Sequence, residues 1–240
     1  MEIRGNEQNK YWSNRAHTYG LQYGLDRDAV KVKIRRKVRL MQQSIPIDKV
    51  DSVIEFGCGT GLYTKEFCLL NSRLLSTDIS KDMLQVAKEY CPQARYQEID
   101  ARKMPLPDRS YDIVLSSFLL QHAETELVLP EMHRILKKGG YFGAFVPNIL
   151  NPLHYSRARV GFMRKILHEN SQSEDFNRWK WVKLLESYGF KNIQVKPIEF
   201  TSPYFPVWLL PLATKTGEIM ESLPVIKEFA GTLLIVARKS

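Results

Sequence analysis

From residue 50 onward, short apolar runs alternate with longer stretches in which apolar side chains recur three or four apart. The first run, VIEF at 53–56, is β-branched and aromatic and predicts a buried strand, broken only by the charge of Glu55. Helix-compatible residues follow over 62–70. A second strand is expected over 73–77, ending at Asp78, and a third over 95–99, ending at Asp100. The fourth to seventh are expected over 111–116, 141–146, 193–199 and 232–237. Ser80 suits the N-cap of a helix running to Tyr90, with Asp82 in its first turn and Cys91-Pro92 as its stop. A further helix is expected over 124–137, stopped by Gly139 and Gly140, and another over 179–188, ended by Gly189. Residues 1–50 read as mostly helical, with an aromatic-rich start, and Pro46 and Asp48 break the pattern before the first strand.

Strands alternating with helices predict an α/β fold: a doubly wound, mostly parallel seven-stranded sheet in one domain over 1–240. The last strand is expected to insert antiparallel at one edge. Ligands of such sheets sit at the carboxyl ends of the strands. The sharpest ligand signal is there, in GCGTG at 57–61, where three glycines at alternate positions let the backbone turn tightly and approach a ligand.

Composition narrows the class. At 44% hydrophobic and 25% charged residues, the chain is an ordinary globular one. Three cysteines without metal-type spacing argue against a disulfide framework or a zinc site, so no metal is expected and the reducing cytoplasm is the expected location. The first ten residues lack the apolar stretch of a signal peptide. No apolar run approaches the ~20 residues of a membrane span. The formal charge of +9 is concentrated at 31–39 and 157–165. The first cluster has apolar residues at near-helical spacing and is expected to be a solvated helix face, with a dedicated anion patch as the rival.

A nicotinamide or flavin fingerprint would read G-x-G-x-x-G. Here the third glycine comes one residue early, and the motif, preceded by Glu55, resembles motif I of the class I S-adenosylmethionine-dependent methyltransferases. Five further motifs resemble that family in order: I-D-A at 99–101, YDIVLSS at 111–117, LKKGGYF at 136–142, LLESYGF at 184–190 and LLIVARK at 233–239. Asp78 stands 21 residues after Gly57, at the end of the second strand (78 − 57). The resemblance implies a Rossmann-like sheet and S-adenosylmethionine as cofactor, with S-adenosylhomocysteine as product. It implies that Gly57, Cys58, Gly59 and Gly61 pass close to the methionine part and ribose. Asp78 then accepts from the ribose hydroxyls, while Ile79 and Met83 offer apolar surface to the adenine. Asp100 and the Ala101 amide meet the adenine edge. Glu55 orders the loop or meets the ammonium through water, and Ser116 and Ser117 lie where carbonyls meet that ammonium. For Cys58 the simpler account is a small residue that fits the turn. For Asp78 and Asp100 the competing account is helix capping or surface turns.

The start YWSNRAHTYG at 11–20 resembles a leader of many small-molecule members, which implies a helical lid over 1–45 with Tyr11 and Tyr19 facing the cofactor or acceptor. The alternative is an N-terminal helix simply packed on the sheet. Insertions at 148–178 and 200–230 are expected to shape the acceptor pocket. Tyr204, Phe205 and Trp208 in the second could line an apolar site, a homodimer contact or a peripheral membrane surface, or wrap the sheet. Similar tails occur in members acting on quinones, sterols, glycolipids and natural products. His122, just past the fourth strand, is the best candidate for a catalytic base; His17, His154 and Tyr155 are weaker, and His133 reads as structural. The expected activity is methyl transfer to a small organic acceptor, at oxygen or nitrogen. Two rivals stand beside it: an RNA methyltransferase using the basic clusters, and a cofactor-binding regulatory module without transfer. No N/D-P-P-Y/F motif or Pro-Cys nucleophile follows the fourth strand, so DNA is not expected as a substrate, and the charge alone does not assign RNA.

Overall fold

The structure, a computed structural model, describes residues 2–22, 27–152, 177–201 and 206–240. Helices α1 (Glu2–Ser13), α2 (Ala16–Gln22) and α3 (Asp28–Gln42) come first. The alternating part follows: β1 (Val53–Phe56), α4 (Leu62–Leu70), β2 (Leu75–Asp78), α5 (Lys81–Tyr90), β3 (Arg95–Glu98) and β4 (Tyr111–Ser117). Next come α6 (Thr125–Ile135), β5 (Leu136–Pro147), α7 (Arg178–Ser187), β6 (Phe190–Ile198), α8 (Leu210–Ser222) and β7 (Thr232–Lys239). The seven strands form one sheet in the order β3-β2-β1-β4-β5-β7-β6.

β3, β2, β1, β4 and β5 are parallel, and β7 runs antiparallel to both β5 and β6. The antiparallel direction is as expected, but the place is not. β7 lies between β5 and β6, and β6 takes the edge. Its run Leu233–Ala237 is buried throughout, as an inner strand covered on both faces must be, whereas the outer-edge β6 alternates apolar and exposed polar residues. The expected helix over 124–137 also ends early. Leu136 already pairs with Tyr111, and the register then slips so that Ile113 meets Tyr141. Gly139, at φ +76°, sits in that slip, so the glycine pair marks an irregularity within β5 and not a helix cap.

The winding reverses between β1 and β4, which places the glycine turn at the switch point. One face of the sheet packs Ile54, Phe56, Val114 and Phe142 against Met132 of α6 and Trp181 of α7. The other packs Ile113, Leu115, Phe145 and Leu234 against Val38 and Met41 of α3 and Phe67 of α4. Alternate residues of one strand thus feed opposite cores, which explains the unbroken apolar runs. Trp181 is fully enclosed, and truncating a side chain of that size and burial costs about 3–5 kcal/mol.

The basic run at 31–39 proves to be only partly solvated. Lys37 is 7% exposed and sits on the packed side of α3. Lys33 Nζ donates to the Thr201 carbonyl at 2.7 Å, and Arg36 Nη2 meets Glu221 Oε2 of α8 at 2.8 Å. Arg35 and Lys31 face outward, as the pattern predicted. The cluster at 157–165, with His154, Tyr155, Tyr204 and Phe205, lies outside the described residues.

Candidate active site

After β1 the chain turns through Gly57, Gly59 and Gly61 at φ +68°, +53° and +82°, a region L side chains rarely adopt. A Cβ on Gly57 would stand 2.8 Å from Leu119 Cβ, and one on Gly61 3.1 Å from Ala87 Cβ. At Gly59 a Cβ would meet nothing within 4 Å. The outer two glycines are therefore fixed by their own neighbours, while the middle one faces open space where a ligand can touch the backbone. Cys58 is buried inside the turn. Burial, with Asp78 and Glu55 nearby, pushes its thiol well above the usual range and leaves it inert. This agrees with a small residue that fits the turn.

Asp78 closes the turn from the end of β2. Its Oδ2 accepts from Gly59 N at 2.9 Å and its Oδ1 from Ser80 N at 3.0 Å. Burial raises its pKa against these backbone donors. Ser80 caps α5, accepting from Met83 N at 3.3 Å. Asp78 thus performs the turn-building work of the competing account while still presenting lone pairs at the carboxyl edge. Ile79 beside it is half-buried, and Met83 is 2% exposed under the N-terminal helices.

Glu55 is fully buried behind the turn. Thr64 Oγ1 at 2.6 Å and Ser76 Oγ at 2.9 Å both donate to its Oε2. Burial lifts its pKa to about 7, and nearby Asp78 adds to the rise while the two hydroxyls oppose it. Its Oε1 has no partner. It is not alone: Thr60 Oγ1, Ser116 Oγ, Ser117 Oγ and Gln121 Oε1 are also buried without a partner. Five of the eight such atoms among the described residues therefore belong to residues at or just past the carboxyl ends of β1 and β4. Native interiors leave few polar atoms unpaired, so this concentration marks a place built to receive polar groups. Thr60 and Gln121 were not foreseen; an unpaired lone pair leaves no trace in residue spacing.

Asp100 differs from expectation. Arg102 grips it with Nε at 2.9 Å from Oδ1 and Nη2 at 2.6 Å from Oδ2, and the Arg102 amide adds 2.9 Å to Oδ1. Partial burial would raise its pKa, but these Arg102 contacts outweigh it and hold the carboxyl below the usual range. Much of its accepting capacity is thus taken, and the half-buried Ala101 stands next to a clamp.

The N-terminal helices cover this end of the sheet. Ser13 Oγ lies 2.9 Å from Ser80 Oγ, and Gln8 Nε2 donates to the His122 carbonyl at 3.1 Å. Trp12 stands edge-on to Tyr11, Tyr19 and His122, with ring centroids at 5.0, 5.8 and 5.2 Å. Tyr11, Tyr19 and His122 are therefore brought together, with Trp12 as the hub that the leader resemblance contained but did not single out. Burial, then the charge of Arg15, lowers the His122 pKa to about 4. The imidazole is neutral near pH 7 but a feeble base in this enclosure. His17 is exposed on α2, and His133 packs edge-on to Phe190 at 4.9 Å, a structural place. No cluster of metal-ligating side chains occurs among the described residues, nor a helix long and apolar enough to cross a membrane.

Comparison with known proteins agrees with this geometry. The profile of the family described as "Methyltransferase domain" matches residues 54–144. A malonyl-[acyl-carrier protein] O-methyltransferase of Hamiltonella defensa is 30% identical over 130 residues, 54% of this chain and 47% of that one. A ubiquinone/menaquinone biosynthesis C-methyltransferase of Francisella tularensis subsp. novicida is 26% identical over 191 residues, covering 72% and 76%. The chain thus spans less than two thirds of some of the curated relatives it matches. The crystal structure of a SAM-dependent methyltransferase from Thermotoga maritima superposes with a TM-score of 0.69 at 18% identity, covering 95% of this chain and 98% of that one. Glycine turn, switch point and matched profile agree: residues 54–144 match a methyltransferase domain, and the turn and sheet around them resemble those of the class I S-adenosylmethionine-dependent methyltransferases.

Proposed function

We propose that the protein transfers a methyl group from S-adenosylmethionine to a small organic acceptor. The observation that carries this is the concentration of unpaired buried oxygens on Glu55, Thr60, Ser116, Ser117 and Gln121, at or just past the carboxyl ends of β1 and β4, together with an open Gly59 in the turn between them and β2. These residues fit the cofactor. Asp78 would accept from ribose hydroxyls, Glu55 would meet the ammonium from behind the turn, and Ile79, Met83, Asp100 and Ala101 would border the adenine. When bound, the cofactor supplies a methyl already activated on a sulfonium. The chain has then to orient the acceptor and exclude water. Trp12, Tyr11 and Tyr19 are placed for exclusion, as a lid. The segments at 148–178 and 200–230, expected from the sequence to shape the acceptor pocket, lie partly outside the described residues. His122 can accept a proton from a hydroxyl acceptor only where the lid leaves its pKa higher than in the closed arrangement.

The relatives' names include transfer to oxygen and to carbon, so a carbon acceptor stands beside the oxygen and nitrogen expected from the sequence. RNA is not favoured, because Lys33, Arg36 and Lys37 point inward. Three unpaired, buried cysteines support a reducing, cytoplasmic setting. Exposed Trp208, Leu212 and Val225 support a homodimer or a peripheral membrane contact; one sedimenting species in detergent-free buffer, monomeric and indifferent to lipid vesicles, would exclude both.

The test is calorimetry with S-adenosylmethionine and S-adenosylhomocysteine. Asp78→Ala removes two charge-assisted hydrogen bonds to the ribose and is expected to weaken binding by about a hundredfold. Equal affinity in the wild type and the variant would overturn the assignment.

A further inference from the structure

On the far side of the glycine turn from Asp78, three cations of α3 face the end of β6. Two are matched. Lys33 is held by the Thr201 carbonyl, and Arg36 by Glu221, with the exposed Glu218 at 3.4 Å. Glu221 Oε1 in turn accepts from Glu199 N at 2.8 Å. Glu199 is 5% exposed, at φ +81°; its Oε1 accepts from Thr201 N at 3.0 Å and from the Thr201 hydroxyl.

Lys37 remains. It is 7% exposed, and no carboxylate stands within ion-pair distance of its ammonium among the described residues. Its contact is the ring of Phe118, whose centroid is 5.0 Å away. Glu199 Oε2 is likewise buried and without a partner. A cation left like this is costly, and mature folds keep such costs where function needs them. Burial brings Lys37 down to about 8, with Glu199 opposing and Lys33 and Arg36 assisting.

The place is informative. Phe118 directly follows β4 and holds φ +58°, an unfavourable conformation for an aromatic residue, fixed by its N–H on the Phe145 carbonyl at 2.8 Å. It lies next to Ser117, whose hydroxyl is one of the unpaired atoms. Tyr63, two residues after Gly61, has its ring 5.9 Å from that of Phe118, and Tyr19 of the lid is within electrostatic reach of Tyr63. A lone ammonium and an aromatic wall thus adjoin the carboxyl end of β4, with one free carboxylate oxygen, at the end of β6, within electrostatic reach of the ammonium.

We infer that Lys37, with Phe118 and Tyr63, forms the anchoring site for an acidic acceptor: an aromatic or planar molecule bearing one anionic oxygen, a carboxylate or phenolate. One cation suits a singly charged group and not a phosphate ester. Glu199 Oε2 accepts from a hydroxyl or amino group on the same acceptor. Lys37 is a positioning residue that turns the acceptor toward the cofactor side. This rests on the methyltransfer proposed above and adds the class of acceptor.

The experiment uses the full chain saturated with S-adenosylhomocysteine, titrated calorimetrically with 4-hydroxybenzoate and, separately, with its methyl ester. The wild type is expected to bind the carboxylate at least about tenfold tighter than the ester, a typical yield for a charge-assisted contact. Lys37→Met is expected to abolish that preference, to leave S-adenosylhomocysteine affinity unchanged, and to melt no lower than the wild type. Lys33→Met, whose ammonium already donates to the Thr201 carbonyl, is expected to keep the preference. Equal binding or no binding of the two probes by the wild type overturns the site. So does a preference that survives in Lys37→Met, or one lost together with S-adenosylhomocysteine affinity and thermal stability, which marks a structural cation. Failure of the wild type to bind S-adenosylhomocysteine at all would instead refute the methyl-donor assignment.

Discussion

Glu55 offers a prediction whose size follows from its surroundings. Its carboxyl is enclosed on every side, two hydroxyls donate to one oxygen, and the other oxygen is bare. The folded carboxyl titrates near about 7 against an ordinary 4.5 in the unfolded chain. Between these values the native state holds a proton that the unfolded chain has lost, so stability falls as pH rises. The full span is worth about 3 kcal/mol: absent below pH 4.5, complete above pH 7. Other carboxylates move the opposite way; Asp112 and Glu131 are held low by Lys137, Ser52 and Arg134. The measurement is therefore a difference. Urea unfolding of the wild type and Glu55→Gln is followed from pH 4 to pH 8. The wild type is expected to lose about 3 kcal/mol relative to the variant across that interval. The cofactor's ammonium beside Oε1 would favour the ionised form, so binding near pH 6 is expected to release protons. Calorimetry in buffers of different ionisation enthalpy detects this, and Glu55→Gln should abolish it. A flat stability difference, or proton release unchanged in the variant, would refute the account of Glu55.

Other expectations are equally direct. Gly59→Ala places a methyl in open space at φ +53°, so it should cost only about 1–2 kcal/mol of stability yet sharply weaken S-adenosylhomocysteine binding. Gly57→Ala adds a clash with Leu119 and should lower the melting temperature more than Gly59→Ala does. Trp12→Ala should free the His122 ring, so its pKa, followed by the Cε1 proton resonance, climbs from about 4 toward 6.5. Arg36→Met strips a largely buried partner from Glu221 and should cost about 2 kcal/mol in urea unfolding, between the values for exposed and fully buried pairs.

Much of this molecule is written in local pattern. The strands β1, β2 and β4, the cap at Ser80 and the glycine turn follow from apolar runs and from residues with one conformational use. What escaped is non-local. The position of β7 between β5 and β6 depends on which edge was still open when it arrived, and no single segment encodes that. The glycines at 139 and 140 looked like a helix stop because glycine serves caps and strand irregularities alike. The basic run at 31–39 looked solvated because its partners, Thr201, Glu218 and Glu221, lie more than 160 residues away. Position along the chain points to Asp100, whereas the guanidinium two residues on, which claims much of it, leaves no mark in the motif.

The inner place of β7 bears on the order in which the molecule is made. Synthesis yields β5 and β6 long before their common neighbour, and residues 232–239 leave the ribosome last among the strands. Until then the chain carries two open strand edges, of which β5 is rich in buried aromatic and aliphatic residues. Such edges pair readily with other chains. β6 has no neighbour in the sheet other than β7, so it can join the sheet only with β7 or after it. Slow translation through the stretch just before 232 would lengthen the exposure, and a chaperone that shields β5 would find its use in that interval.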